Sequence, residues 1–286
     1  MKRTELFPSR ALIGMVHVQA LPGSPRGGMA VSAIARRAAE EARVLVAAGF
    51  DAVIVENMHD APYVHANAGG GAGGGHPPET VAAMTRCVLA VCEELERLKS
   101  KAAVGVQVLS GGSREALAIA HACGLGSGKG LRSGFIRCEN FVFAHVADEG
   151  LLERAEAGPL LRYRRSIGAE GIAVLCDIKK KHASHAITAD VSLGDVAHGA
   201  EFFGADGLIV TGVATGRATS AGDVKAVRAA TGLPVLVGSG VEPGTVAEHY
   251  AAGADALIVG SYIKRGGSWR NPLDARRCEA LVKARG

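Results

Sequence analysis

Eight times along the chain, a short run rich in Val, Ile, Leu and Ala gives way to a stretch with helical periodicity. This alternation limits the fold more than any single motif does. The apolar runs are Ala11–Val18, Asp51–Asn57, Ala102–Leu109, Ser133–Asn140, Gly171–Ile178, Asp206–Gly212, Leu233–Gly240 and Asp255–Ser261. The helical patterns cover about 31–48, 78–98, a stretch from Ser113, 159–167, 193–203, 221–230, 245–252 and 274–284. The runs are nearly continuous rather than alternating, as parallel strands covered on both faces require. Each strand–helix–strand connection implies a right-handed crossover. Eight such units predict a closed (β/α)8 TIM barrel, with a doubly wound open sheet as the fallback. A length of 286 residues suits a single barrel domain, 1–286. Two Gly-rich segments, 67–78 and 124–134, read as loop inserts.

The composition narrows the class further. Hydrophobic residues make up 48% and aromatics only 4%, so the core is built mainly of small aliphatic side chains. The net charge of +4 is spread thinly, without the basic block and interleaved aromatics of a nucleic-acid surface. No apolar run approaches the ~18 residues of a membrane span. The opening MKRTELFPSR leads straight into the first strand and leaves no room for a signal-peptide core. Six cysteines contain no C-x-x-C pair, which predicts reduced thiols and a cytoplasmic protein. Gly128-Lys129 resembles part of a P-loop, but Cys123 stands where the first glycine belongs and Gly130 where Ser or Thr belongs.

In a barrel of this kind, function sits where the strands end. The first strand surfaces with His17. The second presents Glu56 and Asn57, with Asp60 beyond, and the third Gln107. The fourth presents Arg137 and Glu139, the fifth Asp177, and the sixth Thr211 and Gly212. A charge directly after several apolar residues must find a partner or a ligand. Glu56 and Asp177 are candidates to divide acid and base work. The last two strands end instead in Gly238-Ser239-Gly240 and Gly260-Ser261. Glycine lets backbone N–H groups approach an anion with no Cβ in the way, and the loops after strands seven and eight are the usual phosphate position in such barrels.

The run DIKKKHASH follows the fifth strand. Strict alternation would put Asp177, Lys179 and Lys181 on one face. A mouth lysine could neutralise a phosphate or, with a lowered pKa, form a Schiff base; electrostatic binding is the favoured role. His182 and His185 are acid/base candidates, and a divalent metal there is only weakly indicated. No cofactor is expected.

The strings IGMVHVQALPGSPR, GFDAVIVENMHDAPY, FIRCENFVFAHVADEGL, DIKKKHASHAITADVS, ADGLIVTGVATG, PVLVGSGV and ALIVGSYIKRGGSW resemble the BtpA/SgcQ family from about Ala11 to the C-terminus. The resemblance implies a TIM barrel related to ribulose-phosphate-binding barrels. The family takes its name from photosystem I biogenesis, SgcQ-like members accompany sugar-utilisation genes, and no one reaction is attached to the whole. Motif positions matched here are His17, Glu56, Asn57, Asp60, Arg137, Asp177, Lys181, His182, Thr211, Gly212, Gly238–Gly240, Gly260 and Ser261. Glu139 departs from the Asn of many bacterial members.

Taken together, these features predict an enzyme acting on a phosphorylated small molecule such as a sugar or nucleoside phosphate. Glu56, Asp177, Lys181, His182 and His17 are its catalytic candidates. Asn57, Asp60, Gln107, Arg137, Lys179, Thr211 and Gly212 would contact substrate, and Gly238, Ser239, Gly240, Gly260 and Ser261 the phosphate. Isomerase, lyase and phosphohydrolase chemistry all fit, and the protein could act as a homo-oligomer. The alternatives are a non-catalytic assembly factor, which would need an exposed apolar surface that no stretch advertises, and a phosphometabolite sensor.

Overall fold

A computed structural model describes residues 6–66, 75–126, 128, 130–212 and 218–286. Strands β1 (Ala11–His17), β2 (Ala52–Glu56), β3 (Ala103–Gln107), β4 (Gly134–Cys138), β5 (Ala173–Ile178), β6 (Gly207–Val210), β7 (Val235–Val237) and β8 (Ala256–Val259) follow one another around a closed parallel barrel, with β8 pairing back to β1. Helices α1 (Val31–Ala48), α2 (Pro78–Arg97), α3 (Ser113–Ala122), α4 (Ala157–Ser166), α5 (Leu193–Phe202), α6 (Ala221–Ala230), α7 (Val246–Ala251) and α8 (Ala275–Arg285) alternate with them. The open-sheet fallback is thereby excluded.

Strand parity builds the interior. Side chains two apart share a face, so Ala11, Ile13 and Met15 of β1 point inward with Ala52 and Ile54 of β2, Phe135 of β4, Ala173 and Leu175 of β5, Ile209 of β6, Leu236 of β7, and Ala256 and Ile258 of β8. Phe135 is wholly buried, and Gly105 makes its space: a Cβ there would lie 2.4 Å from the Phe135 ring. Phe7 packs edge-on against Phe135 at 5.2 Å. The outward-facing residues, among them Leu12, Val53, Val104, Ile136 and Val174, join the inner faces of the helices in a larger core. Helix α1 stops where expected, with Gly49 in the left-handed region at φ 105°.

One feature escapes the eightfold reading. After β4 the chain forms a hairpin of 145–147 with 150–152, and its first strand also pairs with 183–184 beyond β5. This small antiparallel sheet overhangs one side of the barrel mouth. Of the expected inserts, 67–74, residue 127 and residue 129 lie outside the described residues; Leu125 and Arg132 bridge across the second insert.

Candidate functional site

The next residue of inward parity, two positions on, carries each strand to the mouth, and there the apolar column turns polar. In register with the buried layers stand His17, Glu56, Gln107, Arg137, Asp177, Thr211, Gly238 and Gly260. His17 is the Cα partner of Glu56, and Glu56 that of Gln107. His17, Glu56, Gln107, Arg137, Asp177 and Thr211 are all buried.

Opposite charges neutralise most of this layer. Arg137 donates from Nε and Nη2 to both Asp177 oxygens at 3.0–3.2 Å. Burial raises the Asp177 carboxyl, and the guanidinium opposes that rise. Lys180 reaches Glu139 at 2.9 Å, while the other Glu139 oxygen accepts from the Gly111 N–H at 2.8 Å. These donors hold Glu139 below its usual range despite burial. His17 Nε2 lies 3.5 Å from Glu56. Burial, with the Lys264 cation nearby, keeps the imidazole well below its ordinary value, and burial raises the Glu56 carboxyl against the pull of Arg137. Burial thus favours the neutral imidazole at His17 and works against ionisation of Glu56. Lys264 is itself 1% exposed and paired with Glu41 at 2.7 Å.

The three consecutive lysines separate. Lys179 has φ 51° and His182 φ 55°, so strand alternation ends at Ile178. Lys179 turns away from the mouth and donates to the Val191 carbonyl at 2.9 Å. Lys180 enters the Glu139 pair. Lys181 borders the cavity and makes no hydrogen bond or ion pair with a described residue; burial and Arg137 lower its amine. His182 is exposed, 3.6 Å from Asp148, and His185 Nε2 lies 3.0 Å from the Lys180 carbonyl.

Asn57 and Asp60 brace loops. The Asn57 amide closes on the Leu109 backbone, accepting at 2.7 Å and donating at 3.1 Å, and Asp60 accepts from the Leu21 N–H at 2.9 Å. Thr211 donates to the Lys179 carbonyl at 3.4 Å, and Gly212 follows it directly.

Two chambers occupy the mouth. The first, about 230 Å³, is bounded by both glycine–serine turns, Gly238-Ser239-Gly240 and Gly260-Ser261. Arg277 of α8 also lines it, anchored through Nε to the Tyr262 carbonyl and lying 4.1 Å from the Tyr262 ring centroid. The second, about 210 Å³, is lined by Gln107, Glu139, Asp177, Lys180, Tyr63 and the hairpin residues Asp148 and Glu149. Glu56, Met58, Arg137, Lys181 and Trp269 border both. In the second chamber the buried Gln107 Oε1 has no hydrogen-bond partner. Arg277, Trp269 and the hairpin carboxylates were not among the expected site residues. The signals available were the glycines before Trp269 in RGGSW and the D-E-G turn at 148–150. Among the described residues, no group of three or more His, Cys, Asp or Glu is placed to hold a metal ion, and no helix is long and apolar enough to cross a membrane.

The closed parallel barrel with its polar mouth defines a (β/α)8 TIM barrel. The chain belongs to the BtpA family, whose pattern it matches over residues 8–285. It is 43% identical over 279 residues to an uncharacterised mitochondrial protein of Caenorhabditis elegans, covering 97% of this chain and 94% of that one. It is 35% identical over 274 residues to the photosystem I biogenesis protein BtpA of Synechocystis, covering 96% and 87%. Among solved structures, (S)-3-O-geranylgeranylglyceryl phosphate synthase of Thermoplasma acidophilum, in complex with its substrate sn-glycerol-1-phosphate, superposes with a TM-score of 0.53 at 16% identity, covering 96% and 93%.

Proposed function

We propose that this chain, as a single barrel domain, is an enzyme acting on a phosphorylated small molecule of the sugar-phosphate type. One observation carries the reading. The glycine–serine turns after the adjacent strands β7 and β8 bound the same chamber as Glu56, Arg137 and Lys181. Bare backbone suits an anion, and ionisable groups lining the same chamber suit proton transfer. A phosphate held in the first chamber would anchor the substrate and present its carbon skeleton to the second. The phosphate-bearing substrate of the synthase above supports the same reading. The buried and half-buried cysteines fit a reducing compartment such as the cytoplasm.

Trp269 is the only tryptophan in the sequence and borders both chambers, so its fluorescence reports on occupancy. Titration with a panel of sugar and nucleoside phosphates should give a saturable change that the dephosphorylated parent compounds do not reproduce. A response indifferent to the phosphate group, or none across the panel, sinks the proposal.

A second reading, a non-catalytic assembly factor, has the name of the Synechocystis relative in its favour. It also gains a surface that the sequence did not advertise: Phe202 is 79% exposed at the end of α5, beside the half-exposed Phe203. Glu56→Gln separates the two readings, because a scaffold tolerates it and an enzyme loses turnover.

A further inference from the structure

We propose that Lys181 is a covalent catalyst that forms a Schiff base with the carbonyl carbon of a phosphorylated ketone or aldehyde. The proposal rests on the functional reading above and names its substrate class. Four geometric facts carry it.

First, the other described cations around the mouth are committed or fixed in the first chamber. Arg137 is spent on Asp177, Lys180 on Glu139, Lys179 on the Val191 carbonyl, and Arg277 is anchored at Tyr262. Lys181 has no hydrogen bond or ion pair with any described residue. Second, it borders both chambers, whereas the glycine–serine turns line only the first. A lysine dedicated to the phosphate has no reason to reach the second chamber; an amine that must meet a carbon next to the anchored phosphate does. Third, Glu56 borders the same two chambers as Lys181, so a carboxyl shares the space in which the carbonyl oxygen would be protonated. Fourth, Gln107 lines the second chamber and its Oε1 is buried without a hydrogen-bond partner, so a small turn of the amide would offer an acceptor to a hydroxyl on the carbon skeleton.

Burial and the neighbouring guanidinium favour the neutral amine, the form that attacks. In the addition step the Nζ lone pair bonds the carbonyl carbon and the C=O π pair moves to oxygen. Oxygen takes the Glu56 proton, and the new ammonium returns one proton to Glu56. In the dehydration step Glu56 protonates the hydroxyl, which leaves as water while the nitrogen lone pair closes the C=N bond. The sum is ketone, amine and carboxylic acid going to iminium, water and carboxylate. The iminium then accepts the electron pair of an adjacent C–H or C–C bond, and the Glu56 carboxylate is placed to take the released proton. Hydrolysis reverses the first two steps and frees the lysine.

The test is reductive trapping of the full-length protein with dihydroxyacetone phosphate, ribulose 5-phosphate and glyceraldehyde 3-phosphate, each with cyanoborohydride as hydride donor. Binding is followed in the same samples through Trp269 fluorescence. The expected result is a saturable mass increase equal to the carbonyl compound less one oxygen atom, located at Lys181 rather than Lys179 or Lys180 by fragmentation. It should drop at least tenfold in Lys181→Arg while that variant still binds the probe. Binding without an adduct at Lys181 overturns the Schiff base and leaves the phosphate-ligand reading standing. Adducts spread evenly over surface lysines overturn it as well. Failure of all three probes to bind overturns both.

Discussion

The Arg137 guanidinium meets the Asp177 carboxylate from the neighbouring strand at 3.0–3.2 Å, with the two side chains 4% and 3% exposed. The pair closes the top of the barrel core, directly above Phe135 and Leu175 in the same inward columns. Removing one partner strands a buried charge, whereas removing both does not. Asp177→Asn should therefore cost roughly 3–5 kcal/mol in urea denaturation, and Arg137→Met with Asp177→Leu much less than the sum of the single changes. Additive costs would show that solvent already reaches the pair. The size of the expected loss, a large part of a typical folding margin, also means that inactivity of Asp177→Asn says nothing about chemistry. Glu56→Gln is the cleaner test of catalysis.

The two glycine turns should respond differently to a methyl group. A Cβ at Gly238 would sit 2.7 Å from Ile209 Cγ2 and 3.1 Å from Thr211 Cγ2, inside the packed layer. At Gly260 its nearest neighbours are Met15 Cγ at 3.4 Å and His17 Cε1 at 3.5 Å, an ordinary contact at the chamber wall. Gly238→Ala is thus expected to lower stability by about 1–3 kcal/mol through overpacking. Gly260→Ala should melt like the parent protein yet bind a phosphorylated ligand about tenfold more weakly, a loss near 1.4 kcal/mol. Calorimetric titration alongside thermal melts distinguishes the two effects. Unchanged affinity in Gly260→Ala would remove this turn from the anion site.

Much of this was readable from the chain because one periodicity fixes both fold and mouth. Parallel strands buried on both faces must be continuously apolar, so the eight runs stood out. The first polar residue of inward parity at the end of each run then marked the rim, as with His17, Glu56, Arg137 and Asp177. The signal fails where the strand ends. Lys179 and His182 adopt positive φ, and no alternation rule tells which of three adjacent lysines enters the mouth. Asn57 looked like a substrate contact because its type suits that role equally well. Its commitment to the Leu109 backbone is a long-range contact between two loops, which no local pattern encodes. The same holds for Arg277, which reaches the first chamber from the last helix.

Glu156 offers a pH signature outside the mouth. It stands beside Cys138, whose thiol donates to it at 3.4 Å, and burial pushes its carboxyl from 4.5 up to about 7. The folded state thus holds a proton that the unfolded chain releases above pH 4.5. Stability present below that pH is lost as the pH rises toward 7. The residue keeps some exposed surface, so solvent screening trims the effect to about 1–2 kcal/mol. Glu156→Gln should be more stable than the parent at pH 8 by that amount and nearly equal to it at pH 4.5. Denaturation midpoints at the two pH values decide the matter, and a difference independent of pH would rule out the shifted carboxyl.

Arg277 provides the most direct check on the sign of the first chamber. Its Nε is held by the Tyr262 carbonyl, and its Cζ lies 4.1 Å from the Tyr262 ring centroid, so the guanidinium is positioned before any ligand arrives. A Cβ at Gly267 would lie 3.4 Å from Nη2, so the fork's outer edge runs along the Gly-rich segment that also lines the chamber. A preorganised guanidinium gives a phosphate paired hydrogen bonds as well as charge, which an ammonium cannot match. Arg277→Met keeps most of the stem and deletes the charge. Its affinity for a phosphorylated ligand should fall by about tenfold or more at low salt, and the gap to the parent should narrow as ionic strength rises. Arg277→Lys should recover only part of the loss. If Arg277→Met bound the anion as tightly as the parent at every salt concentration, the first chamber would not be an anion site of this geometry.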